Sequence, residues 1–376
     1  MRERLKLMLA AFAILFFAAC GILTLVLPDK DFSEDENRVL KQKPELTLKK
    51  VVKSDFQTEL EEYFSDQVAF RTDFMKVYAA AQIAERRTDY NGVYVCDDNW
   101  LIEVYEEPKN TERNIERFTN IETKLSDMGV DCTLMLVPTA ITLYPEVLPA
   151  GAKENNKQLE VMEQVYSQSK MRNINVLDTL KDTKESTQLY YKTDHHWTTD
   201  AAYACYVKYC EELGFTAQEK DAFDIKVVSD RFYGTIYSKG LTPFQPYDKV
   251  KAYEQSEENL EIVYDDGKDD HKSLYSEEWL SKKDKYSYFL DSNSHLKIEV
   301  TNRNVNNGRV LLVVKDSYAN CFVPFLVNHF EKVIVLNTRY YRSGVAKAAE
   351  QYGVTDALFL FNLNTFDTES AIAGIY

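Results

Sequence analysis

Apolar residues are arranged along this chain in three successive textures, and each predicts a different kind of element. First comes an unbroken uncharged run from Leu7 to Leu27. Rising about 1.5 Å per residue, a helix of that length covers a hydrocarbon core of roughly 30 Å. A polar, acid-rich stretch from Asp29 to Lys50 then reads as an extended connector. Beyond it, Phe56, Leu60 and Phe64, and then Phe70, Phe74, Val77 and Ala81, recur at three- and four-residue spacing and predict two helices.

From Asn91 the pattern alternates between short β runs and helical stripes. Val93–Val95 and Leu101–Tyr105 read as strands, and Ile115, Phe118, Ile121, Leu125 and Met128 form one helical face that ends at Gly129. Cys132–Val137, stopped by Pro138, has the continuous apolarity of a strand covered on both faces. A helix around Gln158–Tyr166, a strand at Ile174–Leu177 and a helix over Thr199–Leu213, closed by Gly214, follow. Strands at Val310–Val314, Val333–Leu336 and Ala357–Phe361 are separated by helices over Ala319–Phe330 and Val345–Tyr352. Such alternation predicts a three-layer α/β sandwich with a mainly parallel sheet. Periodicity fails between Phe215 and Gly308, so about 215–308 is expected to be an insertion carrying loops and short strands. The expected organisation is a cytoplasmic stub and membrane anchor over 1–30, an extracytoplasmic connector with helices over 31–90, and a large α/β domain over 91–376.

Charge orients the first segment. Arg2, Arg4 and Lys6 flank the apolar run on one side and Asp29 to Glu36 on the other, which predicts a basic inside and an acidic outside. Ala18-Ala19-Cys20 also resembles a lipoprotein cleavage site, and removal as a signal peptide is a second processing alternative. Phe17 is unusual for the first, and the run continues well past Cys20, so length and flanks favour a retained single-pass anchor in the cell membrane. A net charge of -15 argues against a nucleic-acid partner, because phosphate binding needs clustered Lys and Arg. The six cysteines show no disulfide framework and no C-x-x-C pair, so buried thiols are expected, without a structural zinc site or other cofactor.

Function in open α/β sheets sits just past the carboxyl ends of strands. Lys315-Asp316-Ser317-Tyr318 follows one such strand and precedes a helical pattern. A serine there exposes its hydroxyl at the sheet edge, beside backbone N–H groups able to face a developing oxyanion. The competing reading is a simple helix cap. Thr193-Asp194-His195-His196-Trp197 holds two of the five histidines beside a carboxylate. Asp-x-His in a loop supplies a base and the group that fixes its tautomer. It also offers a metal site of Asp194, His195 and His196, or a hydrogen-bonded loop with no chemistry.

Asp194-His195-His196-Trp197 is the tetrapeptide after which the DHHW family is named, and the chain resembles that family further. Phe32-Ser33-Glu34, Glu36-Asn37-Arg38, Asp66 with Phe70-Arg71, Gly234 after Phe232, Lys315 to Asn320 with Pro324-Phe325-Leu326, and Arg339-Tyr340-Tyr341 all carry the likeness. The family in turn resembles the SGNH-type alginate O-acetylation proteins AlgJ and AlgX, in which Asp-x-His-Trp precedes a serine in an Asp-Ser motif. That resemblance implies an SGNH-hydrolase-like fold with permuted motif order, and a serine O-acetyltransferase or esterase. Ser317 becomes the nucleophile, His196 the base and Asp194 its orienting acid; His195 occupies the variable position. For the oxyanion and substrate, Ser317 and Tyr318 N–H, Asn320 and Arg339 are the candidates, with Trp197 as a sugar platform. The implied substrate is a surface polysaccharide or exopolysaccharide, and the implied partner an MBOAT-type membrane acyltransferase. A deacetylating acetylesterase, a non-catalytic polysaccharide-binding scaffold and a metal-dependent hydrolase are the rival readings.

Overall fold

The computed structural model describes residues 2–106, 108–152, 157–368, 372 and 374–375. The first apolar run is a helix, α1 (Arg2–Val26), long and apolar enough to cross a membrane; of its residues only Cys20 is buried. A two-stranded pairing of Phe32–Ser33 with Arg38–Val39 follows, then helices α2 (Asp55–Gln67) and α3 (Arg71–Ala84). Ions rather than a core tie this region together. Both Arg38 Nη atoms donate to the Asp66 carboxylate, at 2.8 and 2.5 Å, and Arg71 and Arg38 share Glu36. The Arg38 bond holds the Asp66 carboxyl down at about 2, against the opposing effect of burial. Phe64, Phe70, Phe74 and Val77, whose spacing predicts these helices, are exposed.

The rest of the chain is built on one seven-stranded mixed sheet. Its strands are β1 (Asp131–Val137), β2 (Arg172–Asn173), β3 (Leu260–Tyr264), β4 (Lys297–Asn302), β5 (Val310–Lys315), β6 (Lys332–Asn337) and β7 (Asp356–Asn362), in spatial order β3-β4-β6-β5-β7-β1-β2. The pairings from β6 through β2 are parallel, and β3 and β4 add an antiparallel edge. Alternate residues of each central strand face two cores. Leu134, Leu312, Ile334 and Phe359 pack under α4 (Thr111–Asp127), α5 (Lys157–Gln168) and α7 (Val345–Tyr352). Met135, Val313, Val335 and Leu358 pack under α6 (Thr199–Leu213) and the chain from Phe223 to Leu290. Strands covered on both faces account for the unbroken apolar runs.

Three segments differ from expectation. Residues 215–308, expected as an insertion, supply β3 and β4 to the sheet itself as well as an antiparallel hairpin of Asp224–Phe232 with Asp248–Glu254. Ile174–Leu177 is not a strand: the Asn175 side chain accepts the Leu177 N–H at 3.0 Å and turns the chain into a helix over Leu177–Lys184. The helix expected over Ala319–Phe330 is a 3₁₀ turn, Ser317–Cys321, followed by a short helix, Val323–Leu326. Pro324 fits the first turn of that short helix, but inside a longer one it would lack the N–H to bond Asn320 and would clash with its carbonyl.

Phe118 of α4 meets Phe359, Phe361 and Phe366 with ring centroids 5.3 to 5.7 Å apart. Phe118→Ala therefore lowers the unfolding free energy by about 3–5 kcal/mol; denaturant unfolding of residues 31–376 checks this, and a loss under about 1 kcal/mol would show that this layer is not the packed core described.

Candidate active site

The loop bearing Asp194 is pinched at its base. Tyr190 and Trp197 form an antiparallel bridge, Thr198 N–H donates to the Leu189 carbonyl at 2.8 Å, and Thr198 then caps α6 by accepting the Ala201 N–H. The opposite wall comes from the carboxyl end of β5. There Asp316 is the cap: its Oδ1 accepts the Tyr318 N–H at 2.9 Å, and its Oδ2 accepts the backbone and side-chain N–H groups of Asn362 at 2.7 and 2.6 Å. Asp316 thereby ties the ends of β5 and β7 together and leaves the Ser317 hydroxyl to point elsewhere.

That hydroxyl lies 2.7 Å from His196 Nε2, and His196 Nδ1 lies 2.5 Å from Asp194 Oδ1. Ser317 is half-buried, while His196 and Asp194 are buried. Residues 121 positions apart in sequence thus meet in one hydrogen-bonded chain. Asp194 is 2% exposed, and every direction around its carboxylate is occupied. Oδ1 also accepts the His196 N–H at 2.9 Å, and Oδ2 accepts the Thr235 N–H at 2.7 Å and its hydroxyl at 3.1 Å. Burial alone would raise this carboxyl, but the two imidazoles and the Thr235 N–H outweigh it and hold the group well below the ordinary range. Burial, followed by the neighbouring His195, lowers His196 to about 4, so at neutral pH its imidazole is uncharged and able to take a proton. An uncharged imidazole beside a hydroxyl, backed by a buried carboxylate, can move a proton from serine oxygen to nitrogen and stabilise the resulting imidazolium.

The other expected residues fall in different places. Trp197 is fully buried: its Nε1 donates to the Tyr318 carbonyl at 2.8 Å and its ring packs on Tyr318 and Phe322. It cannot be a sugar platform, and instead holds the serine turn against the histidine loop. Tyr318 N–H is used by Asp316, and its hydroxyl donates to the His195 carbonyl at 2.5 Å. Asn320 is 1% exposed and turned away, accepting from Lys315 Nζ. Arg339 is exposed beyond β6; burial lowers Lys315 to about 7, and the charge of Arg339 adds to that effect. Ser317 N–H finds no acceptor among the described residues. His195 is half-buried, its Nδ1 2.6 Å from Thr235 Oγ1.

Asp194, His195 and His196 do bring potential ligand atoms within 4.8 Å of one another. Those of Asp194 and His196, and His195 Nδ1, are already engaged, so a cation there would have to break the Asp194–His196 or His196–Ser317 bond. That donor set fits proton transfer better than metal ligation.

Three contributors had no local sequence signal. The Tyr286 ring stacks on His196 at 3.7 Å and 11°, and its hydroxyl donates to the Ser317 carbonyl at 3.1 Å. Thr235 holds Asp194, and Asp248 holds the start of the loop by accepting the Lys192 and Thr193 N–H groups at 3.0 and 2.7 Å. All three lie in the aperiodic segment. Gly234 could have pointed there: a Cβ at this position would stand 2.1 Å from Asp194 Cβ.

A family profile described as "DHHW protein" matches residues 117–336, more than half of the chain. The chain belongs to the DHHW family. A DHHW family protein from Eubacterium siraeum has a similar fold, with a TM-score of 0.67 at 23% identity, covering 76% of this chain and 96% of that one. Bacillus cereus PatB1, in a structure with a sulfonyl adduct, gives a TM-score of 0.62 at 18% identity, covering 74% of this chain and 97% of that one. Among curated proteins, a probable alginate O-acetylase AlgJ from Pseudomonas syringae pv. tomato is 23% identical over 202 residues. That match takes in 50% of each protein, so the chain spans about half the length of the curated relative it matches.

Gly234→Ala tests how the DHHW loop is held. The added Cβ cannot be accommodated without moving Asp194, so the low-field proton resonance expected for the His196 Nδ1–H bond should vanish and stability fall by about 1–3 kcal/mol. An unchanged resonance in the variant would mean that Gly234 does not set the position of the carboxylate.

Proposed function

We propose that this protein is a membrane-anchored, extracytoplasmic serine O-acetyltransferase acting on a cell-surface polysaccharide or exopolysaccharide. The observation that carries the reading is the Ser317–His196–Asp194 hydrogen-bonded chain at the end of β5. The similarity to a probable alginate O-acetylase supports the choice of acetyl group and glycan. In the proposed reaction, His196 Nε2 takes the Ser317 proton as Oγ attacks the acetyl carbonyl of the donor. The leaving group departs with that proton, leaving an acetyl ester on Ser317. A sugar hydroxyl, deprotonated in turn by His196, attacks the ester; the acetyl group passes to the sugar and Ser317 regains its proton. Ser317 N–H is the proposed oxyanion donor.

The proposed division is a stub and anchor over 1–30, a connector over 31–90 and an SGNH-like catalytic domain over 91–376. Helix α1 spans the membrane with Arg2, Arg4 and Lys6 inside. Phe16, midway along it, meets Phe74 of α3 with ring centroids 6.0 Å apart. The donor side is an MBOAT-type membrane acyltransferase, which fits a serine that must be loaded outside the cell.

Ser317→Ala should reduce turnover of an aryl acetate by about a thousandfold or more, and Asp194→Asn by less. Retention of most of the rate by Ser317→Ala would eliminate the serine mechanism and return the metal reading, whereas absence of turnover in the wild type would return the scaffold reading. The wild-type pH–rate profile should also be informative. Because the free imidazole is the active form and its pKa is lowered, kcat/KM stays high through neutrality and falls with acid through about 4. An acid limb at the ordinary histidine value would show that His196 is not held in the buried setting described.

A further inference from the structure

A cavity of about 350 Å³ adjoins the hydrogen-bonded chain. Neither Ser317 nor His196 lines it, but their sequence neighbours Tyr318 and His195 both do. Its lining has two characters. Ile102, Ile141 and Ile236 are apolar and buried. Glu103, Lys239 and Asn364 form a polar cluster in which the Glu103 carboxylate is paired with Lys239 Nζ and accepts from Asn364 Nδ2 at 2.9 Å. Three separate segments deliver that cluster. Glu103 ends a strand of the small sheet, Lys239 lies on the helical turn that begins with Thr235, and Asn364 follows β7.

A pyranose ring has the matching character, with an apolar C–H face and a rim of hydroxyls that both donate and accept. Lys239 retains further N–H donors, and the paired carboxylate retains lone pairs, so hydroxyls can be added without breaking the pair. The formal charges of Glu103 and Lys239 cancel. A uronate or phosphate would therefore find no surplus cation and would meet the Glu103 carboxylate at close range. We infer that this cavity is the acceptor subsite and takes one uncharged pyranose unit, held through Glu103, Lys239 and Asn364 and stacked on the isoleucine wall. This rests on reading Ser317 as the acyl-transfer nucleophile, and it names the chemical class of the acceptor, which that reading leaves open.

Binding can be separated from chemistry in the full chain carrying Ser317→Ala, in detergent micelles, titrated calorimetrically with cellotetraose, chitotetraose and tetramannuronate. At least one neutral tetrasaccharide should bind saturably and about tenfold or more tighter than tetramannuronate, the worth of one misplaced charge or unpaired hydrogen bond. Ile141→Trp, which fills the cavity, should weaken that binding about fivefold or more. Glu103→Gln, which leaves Lys239 unpaired, should shift the preference toward tetramannuronate. The inference is overturned if tetramannuronate binds as tightly as the neutral sugars, if neither neutral sugar saturates, or if Ile141→Trp and Glu103→Gln both leave affinity within about twofold. The functional reading fails separately, through loss of Ser317 dependence in aryl acetate turnover.

Discussion

A carboxylate taken almost wholly out of water is the constraint around which this molecule is arranged. An ionised group buried without partners costs several kcal/mol, so Asp194 is tolerable only because donors from two segments converge on it. His196 supplies two, from its backbone and its Nδ1, and Thr235 supplies two more, from its backbone and its hydroxyl. Those donors explain otherwise unconnected features. Gly234 has no side chain because Asp194 occupies the space, and the chain from Phe223 to Leu290 packs on the sheet face next to the loop because it must bring Thr235 and Tyr286 to it. With the carboxylate in place, the imidazole is fixed in ring plane and tautomer, and its far nitrogen meets Ser317.

The four residues of the family motif divide this labour. Asp194 orients, His196 is placed to exchange the proton, His195 faces the neighbouring cavity, and Trp197 fastens the loop to the serine turn through the Tyr318 carbonyl. The Asp-Ser pair divides it in the same way. Asp316 is spent on joining β5 to β7, which frees the serine hydroxyl from the capping role a serine at such a junction ordinarily takes. Members of the Ser317–His196–Asp194 hydrogen-bonded chain therefore alternate along both motifs with residues engaged in holding the loops.

Much of this was legible in the sequence where one physical rule dominates locally. The central strands showed because burial on both faces demands unbroken apolar runs, and the end of α6 showed because Gly214 closes it. Legibility failed where a distant partner overrides local pattern. The segment 215–308 has no periodicity because its residues answer to the sheet edge and to Asp194 rather than to one another, so β3, β4, Thr235 and Tyr286 were hidden. Trp197 reads as a candidate sugar platform beside a base because sequence does not reveal that the carbonyl of Tyr318 lies within reach of its indole. Asn320 was misplaced for a similar reason: the buried Lys315 needed an acceptor and took its amide.

The central claim is that the Ser317 oxygen carries the acetyl group during turnover, and it is open to direct observation. Wild-type protein quenched in acid during exposure to an aryl acetate, then digested and analysed by mass spectrometry, should yield the peptide containing Ser317 with one added acetyl group at that residue. That adduct should disappear when a sugar acceptor is added before the quench. Steady turnover with Ser317 unmodified at every time point, or with the acetyl group on another side chain, would contradict the claim.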